Sequence, residues 1–232
     1  MRTHLRGISS MATKPLLTEL IRQWQAGNEG TASMESVGGI DAAKRVQSGE
    51  AFDVVVLAAD AIDKLAATGH LIADTKVDVA RSAVAVAVPR GTPYPDLSSE
   101  DAVRRAVEGA ERIGYSTGPS GVALLCLFER WGLTQALGDR IVQAPPGVPV
   151  AELVARSQVS LGFQQLSELM NVDGVEVVGG LPPPIDIVTT FSAAVCATSA
   201  DRDAAARLLR FMASPEADGT KRQHGMQPAR TH

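Results

Sequence analysis

Asp53-Val54-Val55-Val56-Leu57-Ala58 decides the fold. The five residues after Asp53 are apolar without interruption. A strand here has no polar face and must be covered on both sides, as strands of a parallel sheet flanked by helices are. Reading outward to the N-terminus, Ile40, Ala43 and Val46 mark a short helix that ends at Gly49, and Ala32 to Val37 reads extended before Gly38-Gly39. Before that, Leu16, Leu17, Leu20, Ile21 and Trp24 fall on one helical face closed by Gly27, and Leu5 to Ser9 is a short strand running into Ser10. Toward the C-terminus a helix follows through Ile62 and Leu65. Strand and helix alternate three times, the order of a doubly wound α/β lobe.

A second set of α/β elements begins after Arg81-Ser82-Ala83-Val84-Ala85-Val86-Ala87-Val88-Pro89, an extended run in which small and branched residues alternate. Ser98-Ser99 before Glu100-Asp101 is a helix start, Ile113 to Tyr115 a strand, and a helix runs from the turn Ser116–Gly121 to about Trp131. Ile141 to Gln143 is extended, Val150 to Ala155 helical, and Val159 to Phe163 and Val175 to Val178 are strands. A second long β-rich run, Ile185 to Thr198, precedes an amphipathic helix from Asp201 to Met212, and Ser214-Pro215-Glu216 starts a last short one. The reading is a mixed α/β protein of two doubly wound lobes joined by two crossing strands. Lobe I is 1–84 with 190–232, and lobe II is 85–189. Such a hinged plan predicts a cleft that takes a small ligand.

The 232 residues are 45% hydrophobic and 21% charged, which is globular composition. Lys and Arg number 22 against 26 Asp and Glu, giving a net charge of −4, and aromatics are 4%. A negative field and few stacking rings argue against nucleic acid as a partner. No stretch approaches the ~20 apolar residues of a membrane span, so no membrane insertion is expected. Cys126 and Cys196 both lie in apolar runs and read as two buried thiols. No phosphate loop, dinucleotide fingerprint or His-Glu-x-x-His is present, and His4, His70, His224 and His232 have no shared-ligand spacing; neither a metal nor a cofactor is expected. Gly118-Pro119-Ser120-Gly121-Val122 resembles a nucleophile elbow, but Val122 stands where a second Gly is required.

What the sequence does supply is a series of hydroxyl and glycine loops between strands and helix starts: Ser9-Ser10, Gly38-Gly39, Ser116-Thr117 with Ser120-Gly121, and Gly147-Val148. Helix N-termini carry unpaired N–H groups and about half a positive charge, and so receive anions. The same residues also cap helices and permit turns, and each loop admits both readings. Arg81, just ahead of the crossing segment, is placed either to grip a carboxylate through two parallel bonds or to lie at a strand end with its head in water. Lys14 has the reach for the same ligand or the role of a surface lysine, and Gln164-Gln165, read as the loop after a strand ending at Phe163, offer amides or plain loop polarity.

At these loops the chain resembles the type II periplasmic binding-protein fold, in particular the molybdate-binding receptors. The resemblance is carried by Ile8-Ser9-Ser10-Met11, Gly49-Glu50-Ala51-Phe52-Asp53-Val54-Val55-Val56, Gly147-Val148-Pro149-Val150, Leu161-Gly162-Phe163, Ser214-Pro215-Glu216-Ala217 and His224-Gly225-Met226. It implies a receptor that closes two lobes on a small anion, with a transporter permease as partner if the protein is exported. The family's first-loop serine matches Ser10, its second-loop serines fall on Gly38 and Gly39, and its oxyanion-binding tyrosine falls on Gln165. These departures and Arg81 favour a di- or tricarboxylate over molybdate. The chain is also similar to the aconitate isomerase offshoot of this fold, which implies an isomerase that moves a double bond by proton transfer. Asp60, Glu168 and Asp186 are the carboxylates considered for its base, beside ordinary surface or capping roles. The stretch Met1–Ile8 has no hydrophobic leader after it, so the chain as written reads as cytoplasmic, and as periplasmic if a leader has been removed.

Overall fold

The computed structural model describes residues 4–27 and 30–229; Met1–Thr3 of the leader reading and His232 lie outside them. In chain order the main elements are β1 (His4–Ser10), α1 (Lys14–Gly27), β2 (Thr31–Val37), α2 (Gly39–Gln47), β3 (Val54–Ala58), α3 (Ala59–Ala67) and β4 (Val77–Pro89). Then come α4 (Glu100–Gly109), β5 (Ile113–Tyr115), α5 (Pro119–Arg130), α6 (Thr134–Leu137), β6 (Ile141–Gln143), α7 (Val150–Ala155), β7 (Leu161–Gln165) and α8 (Leu166–Leu169). The chain ends with β8 (Val175–Gly180), β9 (Val188–Val195), α9 (Arg202–Ala213), α10 (Asp218–Gln223) and β10 (Gln227–Pro228). No helix among the described residues is long and apolar enough to cross a membrane.

Contacts divide the chain into two units, residues 1–82 with 189–232 and residues 83–188. Unit 1 orders its strands β2-β1-β3-β9-β4, with β10 on the far side of β4. β1 lies parallel to both β2 and β3, while β9 runs antiparallel to β3, so the sheet is mixed rather than purely parallel. The decisive run behaves as its composition requires. Val54 and Val56 enter one core with Leu16, Leu20 and Leu208, and Val55 and Leu57 enter another with Ala42, Val46 and Ile62. Each face of β3 therefore has its own helical layer.

Unit 2 orders its strands β4-β7-β5-β6, with β8 on the other side of β4. β5 is parallel to β6 and β7, and β4 is antiparallel to β7. The alternation in β4 has a packing cause. Val84, Val86 and Val88 fill the core beneath α4 and α5, with Val103, Leu124 and Phe128, whereas Ala85 and Ala87 face α7 with Val150 and Val154. Small residues let that helix sit close to the strand; branched ones fill the deeper side. Of the helix starts read as serine-capped, Ser99 Oγ accepts from Ala102 N at 3.2 Å while Ser214 Oγ makes no capping bond; Asp201 Oδ1 caps α9, accepting from Ala204 N at 2.9 Å. Each cap contributes about 1 kcal/mol. The chain passes from one unit to the other within β4 and beside the start of β9.

One expectation fails outright. Cys196 is buried, but Cys126 is exposed on α5. It shares a face with Val122, four residues before it and 60% exposed, opposite the face that buries Leu124 and Phe128.

Candidate functional site

In unit 1 the chain leaves three parallel strands, β1, β2 and β3, from the same edge of the sheet, which carries Ser9-Ser10, Gly38-Gly39 and Ala58-Ala59. This carboxyl edge is where open α/β sheets bind ligands. Ser9 and Ser10 point to opposite sides, as successive strand residues must. The Ser9 hydroxyl lies 2.8 Å from Ser36 Oγ and donates to the Ser10 carbonyl at 3.3 Å, so it is engaged within the sheet. Ser10 Oγ is buried and has no hydrogen-bond partner among the described residues. Buried polar groups are nearly always satisfied, which sets this hydroxyl apart from its neighbours at the edge. A methyl group at Gly39 would lie 3.7 Å from Ser10 Cβ, so the two loops meet. α2 begins there, with first-turn N–H groups that no helical carbonyl can reach. Asp41 in that turn and the exposed Asp60 at the start of α3 put carboxylates at both helix starts; Asp60 is 3.8 Å from Lys64.

Unit 2 repeats the arrangement with β5, β6 and β7, whose carboxyl edge carries 116–121, 144–149 and Gln165 with α8. Ser116 and Thr117 are half-buried, and Ser116 Oγ lies 3.3 Å from the buried Ser120 Oγ in the first turn of α5. A side chain at Gly121 would put its first carbon 1.9 Å from the Ser116 carbonyl oxygen, so only glycine lets the helix start this close to the strand end. Val148 spends its N–H on the turn, donating to the Pro145 carbonyl at 3.0 Å, which removes that group as a ligand donor.

Gln164 and Gln165 are not loop residues. They are the last two residues of β7, and both are buried. Alternation sends Gln165 to the side of Leu161 and Phe163 and Gln164 to the side of α7. Gln164 Oε1 accepts from Ala151 N at 3.1 Å, in the first turn of α7, and its amide also bonds Glu168. Gln164 thus positions a helix and a carboxyl rather than standing open to a ligand. Glu168 is held in its neutral form up to about 7, because burial disfavours its charge more than the Gln164 bond favours it. No sequence signal separates it from Asp60 and Asp186, both of which are exposed.

Arg81 is exposed on β4, opposite Gln227 of β10, and makes no ion pair among the described residues. Lys14 is exposed at the first position of α1. Among the described residues no three His, Cys, Asp or Glu side chains gather as a metal site.

Two mixed α/β units with loops set at carboxyl edges agree with relatives found by sequence and by structure. The pattern of the family described as bacterial extracellular solute-binding protein matches residues 5–227. The chain belongs to this family. Aconitate isomerase from a Pseudomonas species is 38% identical over 185 residues, 79% of this chain and 70% of that protein. Among solved structures, the periplasmic molybdate-binding protein of Azotobacter vinelandii superposes with a TM-score of 0.79 at 19% identity, covering 96% of this chain and 98% of that one. The sulfate-binding protein SubI of Mycobacterium tuberculosis gives 0.79 at 18%, covering 98% and 88%. At these identities the superpositions establish the type II periplasmic binding fold and no ligand. This solute-binding family member therefore has the type II periplasmic binding fold, and the 38% identical aconitate isomerase bears out the similarity of the whole chain to that offshoot.

Proposed function

We propose that the protein captures a small, multiply charged carboxylate of the aconitate kind, taking donors from the carboxyl edge of unit 1. The observation that carries this is the buried Ser10 hydroxyl with no protein partner, beside the start of α2. In unit 1 the backbone of Gly38 and Gly39 supplies further donors and Arg81 a positive charge; Ser116, Thr117, Ser120 and Gln165 are the corresponding polar groups of unit 2. Glycines stand where molybdate receptors have serines and Gln165 where they have a tyrosine, which supports a planar carboxylate over a tetrahedral oxyanion. As a receptor, the protein would have a transporter permease as partner and would work outside the cytoplasm.

A melting panel tests the ligand. Aconitate, citrate, molybdate, tungstate and sulfate are each added at increasing concentration. A ligand at a hundred times its dissociation constant adds about 2.7 kcal/mol, which at roughly 2–4 °C per kcal/mol is several degrees. Shifts with the tricarboxylates alone are expected, and shifts with molybdate or sulfate alone overturn the reading. Arg81→Ala is expected to abolish the tricarboxylate shift.

A second reading adds turnover to capture: the protein shifts the double bond of its ligand. The 38% identity to aconitate isomerase favours it. Proton NMR of cis- and trans-aconitate with catalytic protein in deuterated water tests it, by isomerisation or deuterium uptake above a protein-free control.

A further inference from the structure

In unit 2, β5 runs parallel to β7 and β4 antiparallel to it, so the starts of β5 and β7 and the end of β4 lie at one edge of the sheet. This edge is opposite the one that carries 116–121 and Gln165. Residues 89–92, 111–112 and 157–160 meet there and line a cavity of about 330 Å³. Its polar lining is largely unspent. The Arg112 guanidinium makes no ion pair and no hydrogen bond among the described residues. By contrast, Arg104, Arg130 and Arg156 of the same unit pair with Glu108, Glu100 and Glu152, and Arg140 donates to the carbonyls of Glu108 and Ala110. What is fixed at Arg112 is the backbone: Ser160 Oγ accepts from its N–H at 3.2 Å and donates to its carbonyl at 3.1 Å. Arg90 lines the same cavity, and its partner Asp173 is 3.6 Å away with a fully exposed side chain, a contact worth little in water.

Ser157 is the strained member of the wall. It stands one residue past the Arg156 cap of α7, with a φ of 53°. Its N–H donates to the Val154 carbonyl and that of Gln158 to the Leu153 carbonyl, each at 2.9 Å. Glycine is the usual residue at this left-handed position, because a side chain is disfavoured there. A serine in its place keeps on the cavity wall a hydroxyl that glycine would lack, and that hydroxyl has no hydrogen-bond partner among the described residues.

We infer that this cavity binds a phosphate group, either free phosphate or phosphate carried on a small hydroxylated molecule. The site is separate from the unit 1 edge and independent of the carboxylate reading. The planar forks of Arg90 and Arg112 suit phosphate oxygens, which accept paired N–H donors. The Ser157 hydroxyl and the Gln158 amide offer neutral donors beside them. Glu111 lines the cavity as well, and a carboxylate only accepts, so its complement is a ligand hydroxyl: the P–OH of a protonated phosphate, or an ester's own hydroxyl. Sulfate has no proton to give near neutrality and meets Glu111 as a repelling charge. Arg90 and Arg112 against Glu111 and Asp173 leave no net charge, so the geometry of donors and acceptor selects the ligand, rather than a general pull on anions.

Calorimetry with inorganic phosphate, glycerol 3-phosphate and sulfate tests this on the full chain and on Arg112→Ala, Glu111→Gln, Ser157→Gly and Ser10→Ala. Saturable phosphate binding is expected in wild type and in Ser10→Ala, and binding at least ~10-fold weaker in Arg112→Ala. Arg112→Ala removes no side-chain bond within the protein, so its melting temperature should match wild type. Ser157→Gly should melt no lower than wild type and bind phosphate more weakly. Sulfate should bind more weakly than phosphate to wild type, and Glu111→Gln should narrow that gap. Glycerol 3-phosphate binding more tightly than inorganic phosphate makes the ester the ligand, and the reverse makes it the free ion. A wild type that binds neither overturns the site. Binding that survives Arg112→Ala overturns it too, and binding lost in Ser10→Ala instead moves the phosphate to the unit 1 edge.

Discussion

Unit 1 and unit 2 both present three parallel strands whose following loops gather at one edge, yet the two edges hold different chemistry. Unit 1 offers a serine hydroxyl, a glycine pair and helix N–H groups, and the carboxylates near it, Asp41 and Asp60, are exposed. Unit 2 offers two hydroxyls 3.3 Å apart, two buried amides and the carboxyl of the half-buried Glu168. The contrast teaches that one architecture supports two kinds of edge: fixed donors need only backbone geometry, whereas a carboxyl kept neutral toward pH 7 needs a core around it to tune it.

The largest way to sharpen the contrast is to fill the glycine of each edge. Gly121→Ala places a carbon 1.9 Å from the Ser116 carbonyl, so α5 must move. A loss of about 3 kcal/mol is expected, read as a drop in melting temperature of roughly 6–12 °C. Gly39→Ala meets nothing nearer than 3.7 Å and should melt within a degree or two of wild type. Equal drops would break the claim that the two edges are packed differently.

Next is the pH response of Glu168. Its folded pKa is raised, from 4.5 to about 7, so the folded state keeps a proton that the unfolded chain releases. Its favourable contribution is complete below 4.5 and is lost as pH rises through 7. Wild type should therefore lose about 2–3 kcal/mol between pH 5 and pH 8 relative to Glu168→Gln. Parallel stability curves for the two proteins would refute the buried-carboxyl description.

Smaller effects distinguish neighbouring serines. Ser9→Ala strands Ser36 and should cost about 1 kcal/mol with little change in ligand response. Ser10→Ala removes a hydroxyl that has no protein partner; it should leave the unliganded melting point unchanged or higher and reduce the ligand shift. The reverse pattern would exchange their roles. Smallest of all, thiol titration should find one fast group, Cys126, and one revealed only on unfolding. Burial and the neighbouring Asp53 push the Cys196 thiol up to about 12, where it is protonated and unreactive.

The strands and helices were legible because hydrophobic periodicity is a direct imprint of burial, and the Val/Ala alternation of β4 even encodes which face lies under α7. The loops at strand ends were legible for the same reason, since Ser and Gly clusters interrupt that periodicity. Side-chain burial of polar groups was not. Gln164 and Gln165 looked like loop because an amide has the same composition whether solvated or bonded to Ala151 N. Glu168 carries no local mark either, since its environment is assembled from α7, thirteen to eighteen positions earlier in the chain, and from the adjoining end of β7. Cys126 was readable: the i, i+4 pair Val122 and Cys126 lies opposite the Leu124 and Phe128 stripe, and an apolar run hid that helical register.

Unit 2 is an unbroken stretch of chain set within a divided unit 1, and its ends are already joined, with Val84 N donating to the Ile187 carbonyl at 2.8 Å. On the ribosome this reverses the order in which the halves mature. The early residues of unit 1 emerge first but lack β9, the strand between β3 and β4, so they wait with an open sheet while residues 83–188 emerge and complete their own fold. Only the last forty or so residues close the half that was begun first.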